Sequence, residues 1–192
     1  MAKSRQAAGL EDAAISMLID DHRRVQQMFE EFESLGEDEG DRKQQLIRQA
    51  CTALTAHAQL EEEVFYPAVH NEIEEPDLVD EAQVEHDVAK QLIARLEEED
   101  LDDATRDATF KVLGEYMNHH IQEEESEMFK QVTAAELDTS VLAEEMRERK
   151  LDIESDLGIV SEEAADDDDL DIDLPPPGRD GDDRASRRNM SR

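Results

Sequence analysis

The feature that most constrains this chain is a His-x-x-x-Glu pair that occurs twice. The first copy reads His57-Ala-Gln-Leu-Glu61-Glu-Glu-Val-Phe-Tyr-Pro67 and the second His120-Ile-Gln-Glu-Glu124-Glu-Ser-Glu-Met-Phe-Lys130. On a helix, residues four apart share a face one turn apart, so each copy presents an imidazole and a carboxylate in the same direction. Each copy also has a histidine upstream: His22 precedes His57 by 35 residues, and His86 precedes His120 by 34. A single pair says little, because His and Glu are common on solvated helix faces. Two copies with matched upstream partners do not arise readily by chance.

The surrounding residues predict the helices that carry these pairs. From Glu11 to about Leu35, Ile15, Leu18, Ile19, Val25, Phe29 and Phe32 recur at helical spacing, and His22 falls within that stripe. Gly36 ends this helix and Asp41 is the expected N-cap of the next, which runs from about Arg42 towards Pro67, where it should kink or end. On its wheel Leu46, Ile47, Ala50, Leu54, Val64 and Phe65 share a face with His57 and Glu61, while Glu62 and Glu63 point away. His70 lies off that face and beyond the proline, so it is read as an exposed bystander.

A third helix, capped by Asp77 and ending near Glu98, turns Val79, Ala82, Ala89, Ile93 and Leu96 inward together with His86. A fourth, from about Asp103 to Val132, carries Phe110, Leu113, Met117, Ile121, Met128 and Phe129. Its wheel places His120 and Glu124 near the apolar centre and rotates His119 and Glu123 to the far side. Thr133-Ala-Ala-Glu136 reads as a capping box for a fifth, shorter helix to about Lys150, with Leu137, Val141, Leu142 and Met146 as its packing edge.

At 192 residues the chain has room for one well-cored domain and a tail. The expected division is a flexible arm over 1–10, a helical bundle over 11–150 and a disordered acidic, proline-rich tail over 151–192. The run Asp166-Asp-Asp-Asp169 lacks the glycine and closing glutamate of an EF-hand loop, so it reads as solvated tail. A net charge of -33, from 53 acidic and 20 basic side chains, argues against nucleic acid and anionic membrane surfaces as partners. One cysteine, Cys51, excludes an intrachain disulfide and fits a reducing compartment, and no signal-peptide or membrane-spanning apolar run is present. The expected location is the cytoplasm.

Four long amphipathic helices with short connections predict an all-α, antiparallel up-down-up-down four-helix bundle with an additional short C-terminal helix. The repeated His pattern predicts approximate twofold symmetry, with His22, His57, Glu61, His86, His120 and Glu124 converging at one level of the core. Without a metal such a core is poor, since each buried polar group without a partner costs about 1–3 kcal/mol or more. Imidazole and carboxylate together suit iron, manganese or zinc, and the absence of clustered cysteines argues against a thiolate zinc site. Six donors exceed the needs of one tetrahedral zinc. Two histidines from each half, with Glu61 and Glu124 shared as bridges, would hold a pair of ions, most naturally iron.

The combination Asp21-His22, His57-x-x-x-Glu61-Glu with Phe65-Tyr66-Pro67, Glu85-His86, and His120-x-x-x-Glu124-Glu with Phe129 resembles the hemerythrin-like, or HHE cation-binding, family over about residues 12–132. The resemblance implies a four-helix bundle with a non-haem, oxo- or hydroxo-bridged di-iron site, the four histidines as terminal ligands and the two glutamates as bridges. Family roles include binding or sensing oxygen, nitric oxide, peroxide or iron. The oxygen-carrying hemerythrins of similar pattern have a further histidine one turn from the third-helix ligand. Here those positions are Ala82 and Lys90, which weighs against reversible oxygen carriage and leaves His70, Tyr66 or Tyr116 as groups that could complete the site. Three functions follow: a protein that binds a small diatomic, peroxide or iron; a di-iron enzyme that decomposes peroxide or oxidises ferrous iron or nitric oxide; and a metal-independent helical interaction module.

Overall fold

Apolar side chains at alternating three- and four-residue spacing set the first helix, α1 (Ala13–Ser34), whose buried positions Ile15, Leu18, Val25, Phe29 and Phe32 place His22 in the same stripe. In this computed structural model residues 13–135 and 137–159 are described. They contain helices and no strand. The second helix, α2, comprises Gly40–Leu60, a π-helical turn Glu61–Phe65 and a last turn Tyr66–Val69. The third, α3, is Asp77–Leu96. The fourth, α4, comprises Asp103–Glu123, a second π-helical turn Glu124–Met128 and Phe129–Ala134. The fifth, α5, is Thr139–Asp156.

The helix ends correct several expectations. Asp41 is not the cap of α2: the helix begins at Gly40, and Asp41 sits in the first turn, where its charge faces the exposed backbone N–H groups. Pro67 does not end the second helix, because the π turn precedes it and Pro67 falls at the start of a fresh α segment, where no N–H is required of it. Thr133 lies inside α4 and does not cap α5. The Thr133 hydroxyl donates to the Phe129 carbonyl at 2.8 Å inside the last turn of α4, and the cap of α5 is Asp138, which accepts from the Ser140 N–H at 3.2 Å. Leu142, Met146 and Ile153 share one face at 100° per residue and are buried with Thr139 and Ala143, while Val141 lies off that face and is 68 % exposed. The helix also runs past Lys150 to Asp156 and stops at Gly158, whose φ of 68° is open to glycine at little cost.

The buried apolar residues form two clusters. One holds Ala14, Leu18, Leu60, Phe65, Val69, Val79, Met128, Val132, Met146 and Ile153; the other holds Val25, Phe32, Leu46, Leu54, Ala89, Leu96, Phe110 and Met117. Along α1 and α3 the chain meets the first cluster before the second, and along α2 and α4 it meets them in the opposite order. The histidines and paired glutamates lie between the two. Helix α1 packs on α2, α4 and α5, and α3 packs on α2 and α4. No described helix is long and apolar enough to cross a membrane. The arm over 1–10 and the acidic tail beyond 159 lie outside the described residues.

Candidate metal centre

The six inward polar residues meet. His22 comes from α1, His57 and Glu61 from α2, His86 from α3, and His120 and Glu124 from α4; each is at most 4 % exposed. Two groups form. In the first, His22, His57, Glu61 and Glu124 each offer one donor atom within 4.8 Å of the others; in the second, Glu61 does so with His86 and His120. Glu61 is common to both.

The spacings would suit donors gathered around an ion. The Nε2 atoms of His22 and His57 are 3.1 Å apart, as are those of His86 and His120. Glu61 Oε2 lies 3.1 Å from His57 Nε2 and 3.3 Å from His86 Nε2. Glu124 Oε2 lies 3.2 Å from His22 Nε2 and 3.4 Å from His120 Nε2. Donors bound at about 2.1 Å to one ion sit roughly 3.0–3.4 Å from their neighbours, which these edges match.

The backbone supplies part of this geometry. Each π turn begins at a paired glutamate, and the carbonyl of that glutamate accepts from the N–H five residues on, Tyr66 for Glu61 and Phe129 for Glu124. An α-helix would put the fifth residue about 140° away from the first. A π turn has more residues per turn, so the fifth comes back over the first. Tyr66 is therefore fully buried above Glu61, and Phe129 stacks on His22 with ring centroids 6.0 Å apart.

Outside the six lies a ring of carboxylates. His22 Nδ1 is 3.0 Å from Glu125 Oε1, His86 Nδ1 is 2.9 Å from Glu62 Oε1, and His120 Nδ1 is 2.7 Å from Glu85 Oε2. In each contact the carboxylate accepts from Nδ1–H and turns Nε2 towards the centre, where a metal would take the place of its proton. His57 departs from the pattern. Its Nδ1 is 3.7 Å from Asp21, which is held instead by Lys150 of α5 at 2.5 and 2.7 Å. The expectation that Glu62 points away is thus wrong, because the π turn rotates it back towards His86. Asp21, Glu62, Glu85 and Glu125 were not assigned roles from the sequence, although the doublets Asp21-His22, Glu85-His86, Glu61-Glu62 and Glu124-Glu125 recur in step with the ligands.

Electrostatics follow the same layout. Burial lowers the basicity of His86, yet Glu61 and Glu62 outweigh it and raise its pKa to about 10. Burial likewise opposes the charge on His22, and Glu124 and Glu125 still raise its pKa above the ordinary value. Burial favours a protonated Glu124, but His120 and His22 hold it below the usual carboxylate range. Glu62 is held low by its bond to His86. Tyr66 is pushed far up, first by burial and then by the charges of Glu124 and Glu61, so its hydroxyl keeps its proton. That hydroxyl donates to Glu124 Oε1 at 2.8 Å and lies 3.4 Å from both Glu61 Oε2 and His86 Nε2.

Two further histidines lie outside the six, and His119 forms with Glu85 and Glu123 a more exposed group whose donor atoms lie within 4.8 Å of one another. His70 pairs with Asp80 at 3.2 Å, and His119 pairs with Glu123 at 3.3 Å on a side chain that is 62 % exposed. The Cys51 thiol is pushed up to about 12, first by burial and then by Glu97, so it stays protonated. The donor set fits a metal on its own terms. Four imidazoles and two carboxylates are packed together, and Glu61 Oε1 and His57 Nδ1 are buried with no hydrogen-bond partner among the described residues. Such orphans are costly unless a cation satisfies them.

A model of the hemerythrin HHE cation-binding domain matches residues 13–132, the stretch from the start of α1 to the last turn of α4. No curated protein and no solved structure matches the chain. The family match covers most of the chain and contains all six converging residues, and the chain therefore belongs to the hemerythrin HHE cation-binding family.

Proposed function

We propose that this protein is a non-haem di-iron protein that binds or senses a small ligand, oxygen, nitric oxide or peroxide, or iron itself. The observation that carries the reading is the sharing of Glu61 between two buried donor groups, with Glu124 in one group and within 3.4 Å of a histidine of the other. His22 and His57 would hold one ion, His86 and His120 the other, and Glu61 and Glu124 would bridge them, with an oxo or hydroxo group completing the pair. Manganese or zinc suits the same donors. The reversed order of the two apolar clusters along successive helices supports an up-down-up-down bundle around this pair. The cell interior is the proposed location, in keeping with the lone, protonated Cys51.

The bound ions would supply a Lewis-acidic, redox-active pair able to take a small ligand. The chain's own residues set its surroundings. Glu62, Glu85 and Glu125 orient three imidazoles, the two apolar clusters exclude water above and below, and Tyr66 holds a proton against Glu124. That proton supports a second reading, an enzyme that turns over peroxide, ferrous iron or nitric oxide, since Tyr66 is a donor placed beside the ligands.

Metal analysis of the purified protein with an optical spectrum of its oxidised form tests the first reading. About two irons per chain are expected, with spectral changes on adding nitric oxide, oxygen or peroxide. Two irons with no response to any of them would overturn it. Catalytic recycling at matched iron loading would favour the enzyme, and a single stoichiometric reaction would exclude it.

A further inference from the structure

The approximate twofold that relates the ligands does not extend to the packing beside them. The His57 and His120 segments are offset by 63 residues and the His22 and His86 segments by 64, so Ala58 corresponds to Ile121, Ala89 to Val25 and Ile93 to Phe29. On one side of the site all three residues are smaller by two or three carbon atoms than their counterparts on the other. Both sets are buried, but on the larger side Phe29 lies so close to Gly114 that a Cβ there would meet its ring at 3.0 Å. The smaller side holds a cavity of about 330 Å³ between α2 and α3.

The cavity ends on chemistry. Ala58, Ala89 and Ile93 form its wall, the imidazoles of His57 and His86 its floor, and Glu62 and Lys90 its rim. Those two histidines belong to different donor groups, so a molecule in the cavity faces both. At the rim, Lys90 Nζ binds both oxygens of Glu62 at 2.7 Å, and its side chain is 46 % exposed. Glu62, Glu63 and a strongly acidic chain outweigh the charge of Lys90, which disfavours anions there. An apolar wall with a polar floor suits a small uncharged molecule.

We propose that uncharged small ligands reach the dinuclear site through this α2–α3 cavity, and that Ala58, Ala89 and Ile93 are the residues that keep it open. The proposal rests on the dinuclear reading given above. It is tested by giving the open side the residues of the closed side in a Cys51→Gly background, itself compared with the wild type, because Cys51 stands where the closed side has the Gly114 that makes room for Phe29. The variant is Ala58→Ile/Ala89→Val/Ile93→Phe, with Ala89→Val alone as a milder form and Val25→Ala as a control on the opposite side.

Two measurements decide. In the metal-free protein, xenon pressure should shift the methyl resonances of Leu54 and Met117, which also line the cavity, in the wild type and not in the filled variant. No shift in the wild type overturns the cavity as a site. In ferrous-loaded protein at matched iron content, the association rate of nitric oxide should fall at least about tenfold in the triple variant, fall by a smaller factor in Ala89→Val, and stay within about twofold in Val25→Ala. Full iron content with unchanged rates in the filled forms overturns the route alone. A wild type that takes up no iron overturns the dinuclear reading, and the route with it.

Discussion

Removing the metal should lower the melting temperature by an amount that depends on the buried histidines and not on the exposed ones. A ligand bound only by the folded state, present at about 100 times its dissociation constant, stabilises that state by about 2.7 kcal/mol. For a chain of this size each kcal/mol shifts the midpoint by about 2–4 °C, so one ion is worth about 5–11 °C and two about twice that. The wild type should therefore melt lower by that margin in chelator than with saturating ferrous iron under anaerobic conditions, followed by circular dichroism. The quantity to compare is this metal-dependent increment, because a substitution that also disturbs packing shifts both melts and cancels from the difference. His57→Ala removes a donor whose Nε2 is 3.1 Å from both His22 and Glu61, and should abolish most of the increment. His70→Ala removes only a contact to the exposed Asp80, and His119→Ala removes one to Glu123 beside Glu85 while leaving all six inward donors in place, so both should leave it largely intact. An increment equal in all three variants, or absent from the wild type, refutes the site and leaves a metal-independent helical module as the reading.

The metal-free protein should show its own pH profile. His86, raised to about 10, contributes stability that is full below its ordinary 6.5 and is lost as the pH climbs towards 10; Glu124, held low, contributes stability present above its ordinary 4.5 and lost on acidification. The chelated protein should melt highest between about pH 4.5 and 6.5, and a maximum above pH 8 would contradict the coupling. Loading a divalent ion at pH 7 should release at least about one proton, from His86, measurable in weakly buffered solution with an indicator dye, and loading without release would show that imidazole to be neutral already. Tyr66→Phe leaves Glu124 Oε1 without its 2.8 Å donor and should cost the metal-free protein about 1.5–3 kcal/mol in urea melts, an unchanged midpoint telling against the bond. Glu62→Gln should weaken metal binding about 10–100-fold by loosening His86, as read by competition with a chelating dye, whereas an unchanged affinity would mean that the contact orients nothing.

The helices and the six converging residues were legible because both rest on short-range periodicity. His22 shares the spacing of Leu18, Val25 and Phe29, and His57 and Glu61 are four apart, so an α wheel suffices to find them. What it could not find depends on departures from that wheel. Glu62 and Tyr66 lie inside or just after a π turn, and a 100° step sends the first outward and fails to bring the second over Glu61. The start of α5 was misplaced for another reason. Thr133 can cap a helix or bond back to the carbonyl four residues earlier, and it does the latter, which leaves Asp138 to begin the next helix. The salt link from Lys150 to Asp21 spans 129 residues and has no local signature at all.

The outer carboxylates explain why the repeat needs both of its halves. Glu125, from the second half, orients His22 of the first, and Glu62, from the first half, orients His86 of the second. Glu61 and Glu124 reach across in the same way, each lying within 3.3 Å of a histidine from the opposite half. One half alone would present two histidines and one carboxylate with no partner for the upstream imidazole, too few donors for a dinuclear site and a buried polar cluster left unsatisfied. The exchange fixes the relative register of the halves, because a slip of one turn on either would separate both crossed pairs at once. With the shared polar layer pinned in this way, the flanking packing is free to differ between the two faces. Phe29 can pack against Gly114 on one side while Ala58 and Ala89 line a cavity on the other.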